Sequence, residues 1–190
     1  MATDADLIGR SLDGDADAFV EVVERHEAAV GSYLVRRVGR DAAEDLLGEV
    51  WVAAFESRRS YDRSYDDARP WLYGVALNRL RRYWRSRPAE DLVPDVSDLV
   101  SGWDPWSAVD LGVDARAVLR SALGRLKPDE REVLRLVAWE DLTAAAAAQT
   151  LGMPAGTARR LLMQARAALR AAPGVAALLK ERNTTKERHS

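Results

Sequence analysis

Residues 142–170 read LTAAAAAQTLGMPAGTARRLLMQARAALR, and the fold is decided here. Thr143 to Thr150 is an alanine-rich run of strong helix formers, Gly152 marks a turn, and Pro154 opens a second helix at the position where a missing N–H costs nothing. Ala158, Leu161, Leu162, Ala165 and Leu169 then recur at three- and four-residue steps until Pro173-Gly174. Two short helices joined by a glycine turn make a helix-turn-helix, whose first helix crosses a phosphate backbone while the second enters the major groove. Free N–H groups at the second helix's start favour a phosphate. Thr157, Arg159, Arg160, Met163 and Gln164 are its outward residues. An ordinary helical hairpin with a wet basic face satisfies the same spacing, so this run alone leaves two readings open.

Working outward, the helical period persists. Val118, Leu119, Ala122 and Leu126 form one stripe, and Pro128-Asp129 open another through Val133, Leu134, Leu136 and Val137. Phe19, Val22, Val23, His26, Val30, Leu34 and Val38 line one long helix, started by Gly14-Asp15 and stopped by Gly39. A second runs from about Asp41 to Glu56, with Ala43, Leu46, Leu47, Val50 and Ala54 inward. Ser57 to Arg69 has no period and reads as a loop. Pro70 starts a third helix, ended by Arg87-Pro88. No strand pattern occurs. From Pro88 to Asp110, Pro94, Gly102 and Pro105 stand among acids with Trp103 and Trp106 as bulky anchors, the composition of a linker. The expectation is an all-α chain of two small helical domains: residues 1–88 and 114–173, joined by an acidic flexible linker over 89–113 and followed by an extension over 174–190.

The 190 residues are 47% hydrophobic and 31% charged, as in a globular domain. With no cysteine there is no disulfide scaffold or thiol nucleophile, and two isolated histidines, His26 and His189, make no imidazole cluster. No apolar run approaches the ~20 residues of a membrane helix, and the acidic start Met1 to Asp6 lacks a secretory pattern, so a cytoplasmic location is expected.

Net charge is only -2, yet charge is segregated. Asp41, Glu44, Asp45 and Glu49 stand without a base; six arginines from Arg69 to Arg87 stand without an acid; seven acids follow before Ala115. Such blocks suit several surfaces with different partners. On the third helix Trp71, Gly74, Asn78, Arg81, Arg82 and Arg85 share a face. Arginine neutralises phosphate, an aromatic stacks a base for ~1–3 kcal/mol, and Asn reads a base edge, so this face suits single-stranded nucleic acid. A buried Trp71 beside solvating arginines is the plainer alternative. The acids have a plain reading too, since a helix N-terminus favours them. No nucleophile or phosphate loop accompanies them, and catalysis is set aside.

Three runs carry a family resemblance: Ala43 to Trp51 (AEDLLGEVW), Arg69 to Asn78 (RPWLYGVALN) and Leu126 to Leu134 (LKPDEREVL). In this order they resemble extracytoplasmic-function sigma factors of the sigma-70 family, bacterial initiation factors that keep only sigma regions 2 and 4. The resemblance spans about Asp6 to Arg170. It implies a non-enzymatic protein, without cofactor or metal, that binds core RNA polymerase and directs it to promoters. Asp41, Glu44, Asp45 and Glu49 would dock on the clamp helices of the largest subunit, with region 4 reaching the flap of the second largest. The Ser57–Arg69 loop, with Tyr61 and Tyr65, would capture a flipped base of the minus-ten element. Trp71, Asn78, Arg81, Arg82 and Arg85 would hold the non-template strand, and the helix-turn-helix would read the minus-thirty-five element. Many members answer to an anti-sigma factor, a further partner the resemblance allows.

The C-terminal domain departs from the pattern. Ala147 stands where an Ile is common, a loss of core volume that costs ~2–5 kcal/mol if uncompensated. Gly156 to Leu162 (GTARRLL) has Ala158 in place of Val and Leu161 in place of a second Arg, which leaves Arg160 to take a phosphate one position earlier. Two other functions stay open at this point: a helix-turn-helix regulator that does not initiate transcription, and a polymerase-binding adaptor with weak upstream reading.

Overall fold

The structure, a computed structural model, describes residues 2–86 and 113–175 and, within these, the side chains of all but 113–116. The linker expected over 89–113 lies outside the described residues except for Val113, which opens a helix, and the Arg87-Pro88 stop lies outside them too. Among the described residues the regular structure is eight α-helices and one 3-10 turn, with no strand. The helices fall into two compact units.

The N-terminal unit begins with a helix that hydrophobic periodicity does not announce, α1 (Asp4–Leu12). Its nine residues are amphipathic, with Asp6 and Arg10 exposed and Leu7, Ile8 and Ser11 buried, a pattern spanning only about two turns. Its start is nevertheless written locally as a capping box: Asp6 N–H donates to Thr3 Oγ1 at 3.1 Å, and Thr3 N–H donates to Asp6 Oδ2 at 2.9 Å. Leu7 and Ile8 are wholly buried. Asp15 caps α2 (Ala16–Val38) by accepting from Ala18 N–H at 3.2 Å. Gly39, at φ +79°, breaks the chain between α2 and α3 (Arg40–Ser57), a backbone angle that L side chains rarely adopt.

A 3-10 turn (Arg58–Ser60) and an irregular segment lead to α4 (Arg69–Arg85). Val22, Val30 and Leu34 of α2, Leu46, Val50 and Ala54 of α3, and Leu72, Ala76 and Leu80 of α4 fill the core. Tyr33 and Tyr73 meet inside it with ring centroids 4.9 Å apart. Burial of this kind, at ~25 cal/mol per Å2 of apolar surface, is what holds three amphipathic helices in place.

The remaining helices are α5 (Val113–Gly124), α6 (Pro128–Trp139), α7 (Ala144–Leu151) and α8 (Ala155–Ala171). Arg131 ties the end of α5 by donating to the carbonyls of Leu123, Gly124 and Leu126 at 2.9–3.1 Å. The last carbonyls of a helix lack intrahelical partners, and Arg131 serves two of them, at Leu123 and Gly124, together with the Leu126 carbonyl just beyond. Thr143 caps α7 by accepting from Ala146 N–H at 3.1 Å, and Gly152 makes the following turn at φ +65°. Val133 and Leu136 of α6, Ala147 of α7 and Ala158 and Ala165 of α8 are wholly out of solvent. Past α8, Val175 folds back beside Ala122 and Ala172. The first residues of the expected extension are therefore part of the packed unit; residues 176–190 lie outside the described ones.

Candidate docking and nucleic-acid surfaces

Helical spacing sets the acidic surface. Asp41, Asp45 and Glu49 are four residues apart on α3, so they stack along one line while Ala43, Leu46 and Val50 point inward. Asp41, Glu44, Asp45 and Glu49 are all exposed. Asp41, Asp45 and Glu49 form one wall of a shallow cleft completed by Gly39, Arg40 and Tyr83, and Glu44 stands outside it. Among the described residues none of the four acids forms an ion pair. Like charges one turn apart repel, so the row is an unfavourable arrangement for an isolated helix and a suitable one for a cationic partner.

The basic surface belongs to α4. Asn78, Arg81, Arg82 and Arg85 are exposed, Trp71 is half-buried, and none of these three arginines is ion-paired among the described residues. Leu72, Tyr73, Ala76, Leu77 and Leu80 take the opposite side into the core. The two surfaces thus carry opposite, unneutralised charge on neighbouring helices of one unit.

The segment between α3 and α4 places its two tyrosines differently. Tyr65 is 48% exposed, whereas Tyr61 is only 5% exposed. The Tyr61 ring lies 5.4 Å from that of Trp71, and its hydroxyl donates to the Tyr65 carbonyl. Burial, reinforced by the charges of Asp4, Asp67, Asp66 and Asp62, raises the Tyr61 hydroxyl well above its ordinary value, so it stays protonated and remains a donor. Tyr61 thereby shapes the segment, and Tyr65 is the tyrosine with a surface to offer. Periodicity could not separate them, because the segment has none.

A buried cluster beneath this segment is invisible in the sequence. His26 Nε2 and Asp4 Oδ2 are 2.7 Å apart, Asp4 also accepts from Ala68 N–H at 2.9 Å, and Arg25 Nη1 reaches its other oxygen at 3.2 Å. Burial alone would raise the Asp4 carboxyl. The hydrogen bonds from His26, Ala68 and Arg25 outweigh it and hold the group below the usual carboxylate range. Asp67 is likewise held low against burial, by the Arg69 guanidinium and N–H.

On α8, Arg159, Arg160, Met163 and Gln164 are exposed and Thr157 is half-buried; Arg160 Nη1 donates to Gln164 Oε1 at 3.1 Å. Met163, at 65% exposure, is an outward apolar residue. Leu161 is only 9% exposed, in the inner stripe with Ala158, Leu162 and Ala165. Its position is thus a packing position, and a side chain there is not presented to solvent as its neighbours Arg159 and Arg160 are. Ala147 is fully buried, so the volume it lacks relative to Ile is core volume.

The chain is similar to known proteins. The patterns of Sigma-70 region 2 and Sigma-70, region 4 match residues 22–90 and 116–169. The chain is 32% identical over 153 residues to the RNA polymerase sigma factor CarQ of Myxococcus xanthus, covering 79% of this chain and 86% of that one. It is 27% identical over 174 residues to the ECF RNA polymerase sigma-E factor of Haemophilus influenzae, covering 86% and 92%. A solved structure of CnrH in complex with the cytosolic domain of CnrY matches with TM-score 0.61 and 25% identity, over 94% of this chain and 97% of that one. No helix among the described residues is long and apolar enough to cross a membrane. Both family segments occur in order on a chain that is all-helical among the described residues, and the chain belongs to the sigma-70 family as an extracytoplasmic-function sigma factor, which directs RNA polymerase to promoters.

Proposed function

We propose that the two unneutralised faces of the N-terminal unit divide the work of initiation. Asp41, Asp45 and Glu49, with Glu44 beside them, dock on the clamp helices of the polymerase's largest subunit. Trp71, Asn78, Arg81, Arg82 and Arg85 hold the non-template strand while Tyr65, supported by Tyr61, takes a base out of the stack at the minus-ten element. Unstacking costs a few kcal/mol per step, and contacts made only to the opened strand offset it. No bond in DNA is broken, so the chain does no covalent chemistry of its own. On α8, Arg159, Arg160 and Gln164 read the minus-thirty-five element, with Thr157 and Met163 at the edge of that surface, and the unit contacts the flap of the second-largest subunit. The protein works in the cytoplasm, where polymerase and promoters are. CnrH, bound to another protein's domain, is a precedent for a protein partner on this fold, and an anti-sigma factor is the partner we propose here.

The observation that carries this reading is the segregation of exposed, unpaired acids on α3 from exposed, unpaired arginines on α4. The test is a gel shift on promoter DNA with and without core enzyme. Retardation that depends on core supports the division of labour; equal binding of duplex DNA by the free chain removes it.

A further inference from the structure

We propose that Asp4 and His26 are positioning residues for base capture: their buried pair fixes the segment 61–68 from beneath. The inference rests on the reading of that segment as the minus-ten capture loop, and it adds α1 to the machinery.

Two hydrogen bonds and one close approach join α1 to the segment. Asp4 N–H donates to the Asp66 carbonyl at 3.2 Å. The same residue's Oδ2 accepts from Ala68 N–H at 2.9 Å while it meets His26 Nε2 at 2.7 Å. Further along, Gly9 leaves room for the Arg63 guanidinium, whose Nη2 would lie 2.9 Å from a Cβ at that position. Residues 66 and 68 are therefore hydrogen-bonded to one nine-residue helix, Arg63 lies against it, and Tyr65, between them, is left exposed.

The grip also reaches the start of α4. Its cap residue is Ala68, which has no side chain to accept from the helix start. The Asp4 carboxylate, from 64 residues away, accepts from the N–H of Ala68 itself and adds a negative charge there, while Asp67 Oδ1 accepts from Arg69 N–H, the first of the helix, at 2.9 Å. Because α4 carries the arginine face, loop and face share one anchor.

Donor atoms of Asp4, His26 and Asp67 lie within 4.8 Å of one another, a spacing that would also suit a cation. Both Asp4 oxygens, however, already accept N–H donors, one from a backbone amide and one from the Arg25 cation. A bound metal would displace a backbone hydrogen bond and sit against a guanidinium. Hydrogen bonding is the better account of the cluster.

The test compares full-length wild type with Asp4→Ala, Asp4→Asn and His26→Gln. The DNA is a fork-junction probe carrying the minus-ten segment that wild-type holoenzyme selects from a randomised pool. Amide exchange at 65–68 in the free chain reads the latch itself. Discrimination at the selected base, measured with holoenzyme, reads its consequence, and a probe abasic at that base is the control. Asp4→Ala is expected to speed Ala68 exchange and to weaken discrimination, each by about tenfold, from the loss of a hydrogen bond to a charged group. Core affinity and abasic-probe affinity should stay within about twofold, the range of a change that misses a contact. Asp4→Asn, which keeps an acceptor for Ala68, and His26→Gln should fall between, and they carry the test if the alanine variant does not fold.

Faster exchange with undiminished discrimination would make the pair a fold brace only and overturn the proposal. So would unchanged exchange in every variant. Wild type that discriminates no base in the segment would sink the capture-loop reading itself, a failure visible before any variant is compared.

Discussion

Tyr61 and Trp71 pack ring against ring, 5.4 Å between centroids and tilted by 58°, joining the segment after α3 to the first turns of α4. The contact makes one surface out of a loop and a helix. Tyr61→Phe keeps the rings together and removes only the hydroxyl bond to Tyr65. It is expected to cost about 1 kcal/mol of stability, while Tyr61→Ala should cost about 3–5 kcal/mol as a buried aromatic truncation. Chemical denaturation of the full chain measures both. Equal losses would mean that the hydroxyl, not the ring, holds the segment.

Reversing charge on the α3 row should separate docking from folding. Asp45→Arg with Glu49→Arg is expected to weaken core-enzyme binding about a hundredfold or more, the scale seen when close interfacial charge pairs are broken. Circular dichroism should not change, since both side chains are exposed. Glu44→Arg should do less, because Glu44 stands outside the cleft formed by Asp41, Asp45 and Glu49. Fluorescence anisotropy with core enzyme ranks the three.

Asn78→Ala with Arg82→Ala should impair open-complex formation more than holoenzyme assembly. Both residues are exposed on the side of α4 away from its core stripe, so their loss leaves packing intact. Permanganate footprinting of unpaired thymines, set beside core-binding affinity, gives the comparison. Equal effects on the two would assign this face to polymerase instead of to DNA.

Within α8, neighbouring positions should respond in opposite ways. Leu161→Ala is expected to destabilise the C-terminal unit by about 2–5 kcal/mol, as a buried leucine does. Met163→Ala, with 65% exposure, should alter stability by no more than about 0.5 kcal/mol. Arg159→Ala should leave stability alone and weaken upstream DNA binding by about 1–3 kcal/mol if it reads a base. Thermal melts and holoenzyme footprints upstream of the minus-ten segment separate packing from reading.

Acid should loosen the Asp4 cluster. The folded Asp4 carboxyl is held below its ordinary value of 3.8, so its contribution is fully present above that value and is lost as pH falls through the lower, folded one. Asp4→Asn removes the ionisable group: the variant should melt earlier than wild type at pH 7 and lose less on acidification below about pH 4. Asp67, also held low, keeps part of the acid limb in both proteins. Parallel pH profiles of melting midpoint would contradict this.

Local information was enough for much of this molecule. A 3.6-residue apolar period locates α2, α3, α4 and α8 within a residue or two. Gly39 and Gly152 mark turns because their backbone angles are positive. The spacing of Asp41, Asp45 and Glu49 puts them on one line before any coordinate is known, since an inward stripe leaves its complement outside. The same arithmetic sends Asn78, Arg81 and Arg82 away from the core.

What the chain order could not reveal was decided by contacts between distant residues. The start of α1 is written locally, yet Leu7 and Ile8 bury completely only because α2 lies beside them. His26, isolated by sequence spacing, finds Asp4 across 22 positions, and Ala68 finds the same carboxylate across 64. Tyr61 and Tyr65 differ only in what surrounds them, and Leu161 is a core residue because of the helices packed on α8. Periodicity reports which side of an element is apolar. Which buried donor meets which buried acceptor depends on how the elements assemble, and a polar group removed from water has to find a partner wherever the assembled chain provides one.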